Sequence, residues 1–164
     1  MKQAVATTSI FKVVLVFTLL FSAFLAVAIT YNRVYKLKNE TIAIVEKYEG
    51  ISRKSLTIIN NYLQNSGYDT VGKCENGEYG ITDLSSDTYE LSQNNKDYYY
   101  CLNFFCQGSS CNVNDSSTPN GNQIFYNVKF FFKFNIPFIG ELFTFNINGN
   151  TKGIKLYSET QKLS

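Results

Sequence analysis

The sequence predicts an α+β fold. An N-terminal transmembrane helix extends into an amphipathic helix, and a second short helix and a disulfide-bearing antiparallel β-sheet follow. Three observations support this prediction. No charged residue occurs from Val13 to Asn32. Apolar residues then recur at three- and four-residue steps as far as Gly67, which is typical of amphipathic helices. From Tyr68 onward the apolar residues tend to alternate with polar ones, which is typical of strands.

The predicted domain organisation follows these changes of pattern. A short basic cytoplasmic leader at 1–12 precedes a transmembrane anchor at 13–32. Amphipathic helices occupy 33–67, and an extracytoplasmic antiparallel β domain occupies 68–164. The predicted location is therefore the cell membrane, with a single span.

The anchor prediction rests on length and composition. The uncharged run from Val13 to Asn32 is long enough, because about 20 residues at about 1.5 Å each cover a hydrocarbon core of about 30 Å. The alternative is a cleaved secretory signal, with Lys2 and Lys12 in its basic region and cleavage after Ala28. A retained anchor is favoured because the run exceeds the usual length of about 7–15 residues and contains neither Pro nor Gly.

The helical pattern continues beyond the anchor. The positions predicted to pack against neighbouring helices or against the chain's own sheet are Val34, Leu37, Val45 and Tyr48. Gly50 is a natural stop, since glycine tolerates the left-handed conformation that closes many helices. Ser52 is then a suitable N-cap for a second helix, which is expected to end at Asn65-Ser66-Gly67.

The clearest predicted strand is Ile124–Ile136, where apolar residues alternate with polar ones. One face is expected to be core, and the other, which carries Lys129 and Lys133, is expected to be mostly solvated. Phe125 and Phe131 interrupt the polar face, which indicates partial cover by a helix or a partner.

Two further strands and a turn are predicted around this one. Tyr98–Cys106 precedes it, separated by a stretch of loop composition. Phe143–Ile147 follows it and leads into Asn148-Gly149, a strong signal for a type I′ hairpin turn. The partner strand of that hairpin is predicted at Lys152–Tyr157.

All four cysteines follow the anchor, at Cys74, Cys101, Cys106 and Cys111. An even set in an exported chain usually forms disulfides, which favours a cytoplasmic N-terminus and an extracytoplasmic C-terminal domain. Of the three pairings, Cys74–Cys101 with Cys106–Cys111 is preferred, since the second bond closes a short loop. A metal site is the less favoured alternative, because the chain has no histidine to complete a ligand set.

The residue types offer little for catalysis. Without histidine, the commonest general base is missing. Asp83, Asp87 and Glu90 are the only carboxylates considered for acid–base work, and a solvated loop is the favoured interpretation. The aromatic runs Tyr98–Tyr100 and Phe130–Phe132 are interpreted as core instead of a nucleic-acid surface. We therefore predict a non-enzymatic protein with no catalytic residue, cofactor or metal.

This layout resembles pilin-like envelope proteins, and among them the TadE-like minor pilins of Gram-positive tight-adherence-type pilus and secretion systems. The residues that carry the resemblance are the anchor at Val13–Ile29, the helices ending at Gly50 and Gly67, the block Val128–Gly140, and Phe143–Gly149 with Thr151-Lys152. The chain departs from most pilins in lacking a processing glycine and a glutamate near the start of the apolar run.

The resemblance implies a component of a pilus-like or secretion apparatus, with membrane lipid and sister pilin-like subunits or assembly proteins as partners. The alternative is a membrane-tethered or secreted surface binding domain of the adhesin or receptor type. Its ligand would contact the segment Gln107–Asn122 or the exposed rings of Phe125 and Phe131.

Overall fold

The computed structural model describes residues 2–93, 95–107, 123–136 and 140–155. In chain order the elements are α1 (Lys2–Lys47), α2 (Arg53–Asn65), β1 (Tyr79–Ile81), β2 (Glu90–Leu91), β3 (Tyr100–Gln107), β4 (Gln123–Ile136), β5 (Gly140–Asn150) and β6 (Ile154–Lys155). The strands form one antiparallel sheet in the order β2-β1-β3-β4-β5, and β6 pairs with the start of β4. The predicted α+β class is confirmed.

Local signals end α1 and begin α2 where the sequence predicts. After α1, Glu49 and Gly50 both have positive φ, and the Gly50 amide donates to the Val45 carbonyl at 2.9 Å. Ser52 caps α2 through a reciprocal pair of hydrogen bonds. Its hydroxyl accepts from the Ser55 amide at 3.2 Å, and its own amide donates to the Ser55 hydroxyl at 2.8 Å.

The core lies between the helices and the central strand β4. From α1 it takes Val34, Leu37 and Val45, and from α2 Leu56, Ile59 and Leu63. Tyr126, Val128 and Phe130 of β4 face these helices and are buried. The shorter α2 is held by its apolar stripe, since an isolated helix of this length is marginal in water.

The predicted hairpin turn at Asn148-Gly149 is wrong. Both residues lie inside β5, opposite Lys129 and Val128 of β4, and β6 pairs with β4 instead of β5. The glycine has another purpose. A Cβ at Gly149 would lie 2.5 Å from the Cδ1 atom of Ile42 and 2.8 Å from the Cδ atom of Lys38, so these side chains of α1 would have to move for any larger residue.

The second face of β4 is also different from the prediction of a mostly solvated surface. Lys129 and Phe131 are buried, because the segment between α2 and β1 crosses over them. A Cβ at Gly72 would lie 2.3 Å from the Phe131 ring, so glycine is required where this segment passes. Partial cover of this face was expected from Phe131, and the cover is part of the same chain.

Candidate functional site

The N-terminal half of α1 presents apolar side chains on all sides. The large apolar side chains of this half are each between 45% and 69% exposed. They are Ile10, Phe11, Val13, Val14, Leu15, Val16, Phe17, Leu19, Leu20, Phe21, Phe24, Leu25 and Ile29. A helix that is apolar all round is typical of a membrane span or a deeply buried position. No part of its most apolar window is buried, and the helix is long and apolar enough to cross a membrane.

The polar side chains in this half suit an environment without water. The hydroxyls of Thr18, Ser22 and Thr30 donate to carbonyls of the preceding turn, at 2.8, 2.9 and 2.9 Å. Since each donor is satisfied within the helix, none of the three requires a water molecule.

The C-terminal half of α1 has a different surface. Val34, Leu37 and Val45 are buried in the core, and Tyr48 is half-buried. These are the four predicted packing positions, and the surface that covers the first three includes the chain's own sheet and α2. The opposite side of this half carries charged residues, so it has the single apolar stripe of a helix packed on a domain.

Arg33 marks the junction between the two halves. It is the first charged residue after the uncharged run, and its guanidinium donates to the Ser66 carbonyl, with a longer contact of 3.4 Å to the Gly67 carbonyl. A cation at the C-terminal end of α2 complements the partial negative charge of the unpaired carbonyls there. The junction is therefore fixed to the folded domain.

An apolar groove lies at the same level, on another flank of α1. Its volume is about 360 Å³, and it is lined by Phe24, Val27, Ala28, Tyr31, Asn32, Phe132 and Phe145. The ring of Tyr31 meets the edge of Phe132 at 6.0 Å between centroids, and Phe132 stacks on Phe145 at 5.4 Å. The groove joins the exposed half of α1 to the end of the sheet.

A polar cluster occupies the face of β4 that is turned away from α1. The Lys129 ammonium lies 2.7 Å from one Glu78 oxygen, 2.9 Å from the other and 3.0 Å from Glu75 Oε1. The side chains of Lys129 and Glu78 are buried, whereas Glu75 is largely exposed. The Cys74–Cys101 disulfide lies in the same layer, since Cys101 is the β3 residue opposite Lys129.

The electrostatics of this cluster favour the charged lysine. Burial alone opposes the ammonium form, but hydrogen bonds from Lys129 to Glu78 and Glu75, together with their negative charges, raise its pKa above the ordinary value. Glu78 also accepts from the Glu75 amide at 2.7 Å. The cluster is thus a satisfied ion pair, which fixes the segment before β1 onto the sheet.

The predicted Cys74–Cys101 disulfide is confirmed. Cys106 is disulfide-bonded too, and its predicted partner Cys111 lies outside the described residues. Within the described part of the chain, the one group of potential metal ligands is Cys74, Glu78 and Cys101. Its sulfurs are bonded to each other and Glu78 is paired with Lys129, so the group offers no thiolate ligand to a metal.

Two of the three acidic residues with a possible catalytic role have partners within the chain. Asp83 is exposed and accepts from the amide and hydroxyl of Ser85, which lowers its pKa. Glu90 pairs with Lys96 at 2.5 Å. In the ranges that the structure describes, Asp83, Asp87 and Glu90 do not converge on a common ligand position.

Sequence reasoning missed two features. Strand alternation predicts that Lys129 is exposed to solvent. It is buried because a distant, irregular segment of the chain, which carries Glu75 and Glu78, covers it. The groove residues Phe132 and Phe145 were interpreted as ordinary sheet positions. Their clue was the density of aromatic residues at the end of the sheet, which exceeds what one core face requires.

No protein-family model, curated protein or solved structure matches this chain.

Proposed function

We propose that this protein is a non-enzymatic, single-pass membrane component of a pilus-like or secretion apparatus, with a cytoplasmic N-terminus and an extracytoplasmic α+β domain. The observation that carries the proposal is the continuity of α1. One unbroken helix provides an exposed apolar half and a half that is packed into the domain. A disposable export signal would have no reason to continue into the core of the folded protein.

The disulfides support the orientation. Such bonds form and persist in oxidising compartments and are rare in reducing ones, so Cys74–Cys101 favours a domain outside the cytoplasm. Arg33 and Lys36, just beyond the uncharged run, would then lie at the level of the lipid headgroups.

Support for an assembly role comes from the shape of the helix–sheet unit and its resemblance to TadE-like minor pilins. An exposed apolar helix can pack against sister helices in a bundle, while the sheet domain meets neighbouring subunits. Among the described residues, Asp83, Asp87 and Glu90 do not form a group that could hold a metal ion. The expected partners are sister pilin-like subunits or assembly proteins.

Site-specific photo-crosslinking in native membranes tests the assembly role. A crosslinker at Tyr35, which lies just beyond the uncharged run and is 44% exposed, should capture discrete sister subunits or assembly proteins. The matched control is Leu91, which is 56% exposed on the short strand β2 at the far edge of the sheet. Recovery of only the lone monomer from both positions would contradict the assembly role.

A second candidate, a membrane-tethered surface binding domain, is favoured by one observation. The ring of Phe105 is about half exposed and stacks on Phe125 at 5.5 Å, next to the predicted loop after Gln107. Replacing residues 112–122 with a short Gly-Ser link, which keeps Cys111 as the predicted partner of Cys106, should then abolish capture of the ligand on cells without lowering the melting temperature. Unchanged capture would discard this candidate.

A further inference from the structure

The folded domain overlaps the predicted membrane span instead of beginning after it. The uncharged run ends at Asn32, but the wall that α1 contributes to the apolar groove extends from Phe24 to Asn32. Partial burial of α1 begins at Ala23. Ala23 to Asn32 corresponds to about 15 Å of helix, at about 1.5 Å per residue. This is about half of a hydrocarbon core of about 30 Å.

The span cannot slide along the helix to avoid this overlap at low cost. A span that ended before Ala23 would begin near residue 3 and would place Lys12 close to the bilayer centre. A lysine there costs about 2.5–3.5 kcal/mol on insertion scales. With the span at Val13–Asn32, both Lys12 and Arg33 lie at the boundaries of the hydrocarbon.

The end of the sheet has the composition of a membrane-contacting surface. Phe145 and Tyr31 are 48% and 45% exposed at the groove, and tyrosine is enriched at the membrane–water interface. Strand β4 continues four residues beyond Phe132 and remains paired with β5 up to Ile136 and Gly140. From Phe134 to Phe143 the sequence has a single charged residue, Glu141.

The depth of contact is limited by the sheet itself. Strand β5 is an edge strand in the described sheet, and unpaired backbone groups at a sheet edge are costly in hydrocarbon. Phe132 and Phe145 lie beside Phe24–Asn32 of α1, and the four residues of β4 beyond Phe132 add about 13 Å at about 3.3 Å per residue. The outer leaflet, about 15 Å thick, is therefore the greatest depth that the end of the pair can reach without placing this edge beyond the bilayer centre.

We propose that the end of the β4–β5 pair lies in the outer leaflet beside α1, where phospholipid acyl chains fill the groove between Phe24, Tyr31, Phe132 and Phe145. This inference rests on the membrane anchoring proposed above. Lipid is the assigned occupant because the helix wall of the groove is part of the same uncharged run that the bilayer surrounds. One end of the sheet then lies in the bilayer, and both α1 and the β4–β5 pair hold the domain at the membrane.

Tryptophan fluorescence tests this placement, because the chain contains no tryptophan. The full-length variant Phe145→Trp is placed in phosphatidylcholine vesicles whose acyl chains are brominated at shallow or deep positions. The matched control is Phe105→Trp. Phe105 is also 48% exposed, and its strand partner Phe125 lies seven residues before Phe132 in β4, about 23 Å away at about 3.3 Å per residue.

The expected result is a loss of most of the Phe145→Trp emission with shallow bromines and little loss for Phe105→Trp. Aqueous acrylamide should quench the two variants in the opposite order. Tyr31→Trp reports on the same groove from the helix side and should behave as Phe145→Trp does. It keeps the test informative if the sheet variant does not fold.

Two results would overturn the proposal. Equal bromine quenching of Phe145→Trp and Phe105→Trp would place the end of the sheet outside the bilayer. Protection of Phe145→Trp and Tyr31→Trp from both bromine and acrylamide would mean that a second copy or another protein covers the groove. Phe21→Trp shows whether the sheet placement or the membrane anchor itself is wrong. Its emission should be quenched by deep bromines if α1 spans the bilayer, whatever the position of the sheet.

Discussion

The two halves of α1 have the same backbone conformation and opposite surroundings. From Ile10 to Phe21 the large apolar side chains are exposed on all sides, whereas Val34, Leu37 and Val45 are enclosed by α2 and the sheet. No proline, glycine or change of helix type separates them. The groove with the sheet begins at Phe24, and the first charged residue after the uncharged run is Arg33. Helix continuity alone therefore does not reveal which environment a segment occupies.

This difference separates two properties of the molecule. Stability of the folded domain should depend on the C-terminal half of α1 and on the sheet, and attachment to the membrane should depend on the N-terminal half. Substitutions in one half should leave the property of the other intact. The following predictions test that separation, beginning with the largest expected effect.

An aspartate in each half should give opposite phenotypes. Val45→Asp buries an unpaired charge at a fully enclosed position, which costs several kcal/mol and is comparable with a total domain stability of about 5–15 kcal/mol. We expect the cooperative near-ultraviolet circular dichroism transition to disappear in detergent. Flotation with lipid vesicles should persist.

The counterpart Leu20→Asp lies near the middle of the uncharged run and is 66% exposed. It should weaken membrane insertion by about 2.5–3.5 kcal/mol and leave the thermal transition of the domain in detergent unchanged. Loss of both properties in either variant would show that the two halves are not separable.

The polar cluster should stabilise the domain without affecting attachment. Lys129→Met leaves the buried carboxylate of Glu78 without its partner, which should lower the free energy of unfolding by about 3–5 kcal/mol. Urea denaturation in detergent measures this loss. The double variant Lys129→Met/Glu78→Met should recover much of it, because it removes the charge that the single variant leaves unpaired. Equal stabilities of the wild type and the single variant would refute this role.

The same cluster predicts sensitivity to alkaline pH. The pKa of Lys129 is raised in the folded protein, so its contribution is complete below the ordinary lysine pKa of about 10.4. That contribution is lost as the pH rises through the higher folded-state value. Burial also raises the pKa of Tyr68 and Tyr100, which acts in the same direction. Melting temperatures between pH 8 and pH 12 should fall less steeply for Lys129→Met than for the wild type.

Two leucine-to-alanine variants, one in each half of α1, should change the free energy of unfolding by smaller amounts than the aspartate variants. Leu37 is buried, and Leu37→Ala should cost about 2–5 kcal/mol in the free energy of unfolding. Leu19 is about half exposed in the anchor, and Leu19→Ala should change it by less than about 0.5 kcal/mol. Urea denaturation in detergent reports both values. Similar losses for the two variants would mean that the anchor half packs on the domain.

A smaller loss of stability than that of Leu37→Ala is expected from the hydroxyl of Tyr68. It contacts the carbonyls of Tyr99 and Phe131 at 2.9 Å and accepts from the Phe131 amide at 3.0 Å. These groups lie just beyond the last β3–β4 pair, so the hydroxyl replaces ladder bonds where the strands separate. Tyr68→Phe should cost about 1–3 kcal/mol of domain stability and leave vesicle flotation unchanged. A melting temperature equal to that of the wild type would contradict this.

Much of the fold was accessible from the sequence because its signals are local. Both helices are predicted by the 3.6-residue period, with Gly50 ending α1 and Ser52 capping α2. Strand β4 is predicted by the alternation of apolar and polar residues. The prediction failed at Asn148-Gly149, where pairing with β4 prevails over the local turn signal and Gly149 packs closely against Ile42 of α1.

The candidate site was less accessible, because it depends on contacts between distant segments. Lys129 is buried only through Glu78, 51 residues earlier in the chain. The groove exists only because Phe132 and Phe145 come beside the upper part of the anchor. The Lys129 contact has no local pattern in the sequence, and the density of aromatic residues near Phe132 and Phe145 does not indicate that they meet α1.

Amide hydrogen exchange along α1, measured on the full chain in lipid vesicles with and without denaturing urea, tests the division of the helix most directly. We predict slow exchange throughout α1 in the native protein. In urea, Val34–Lys47 should exchange rapidly together with the sheet, while Val13–Asn32 stays protected by lipid. Rapid exchange of Val13–Asn32 in native vesicles, or protection of Val34–Lys47 that survives loss of the sheet, would contradict the account.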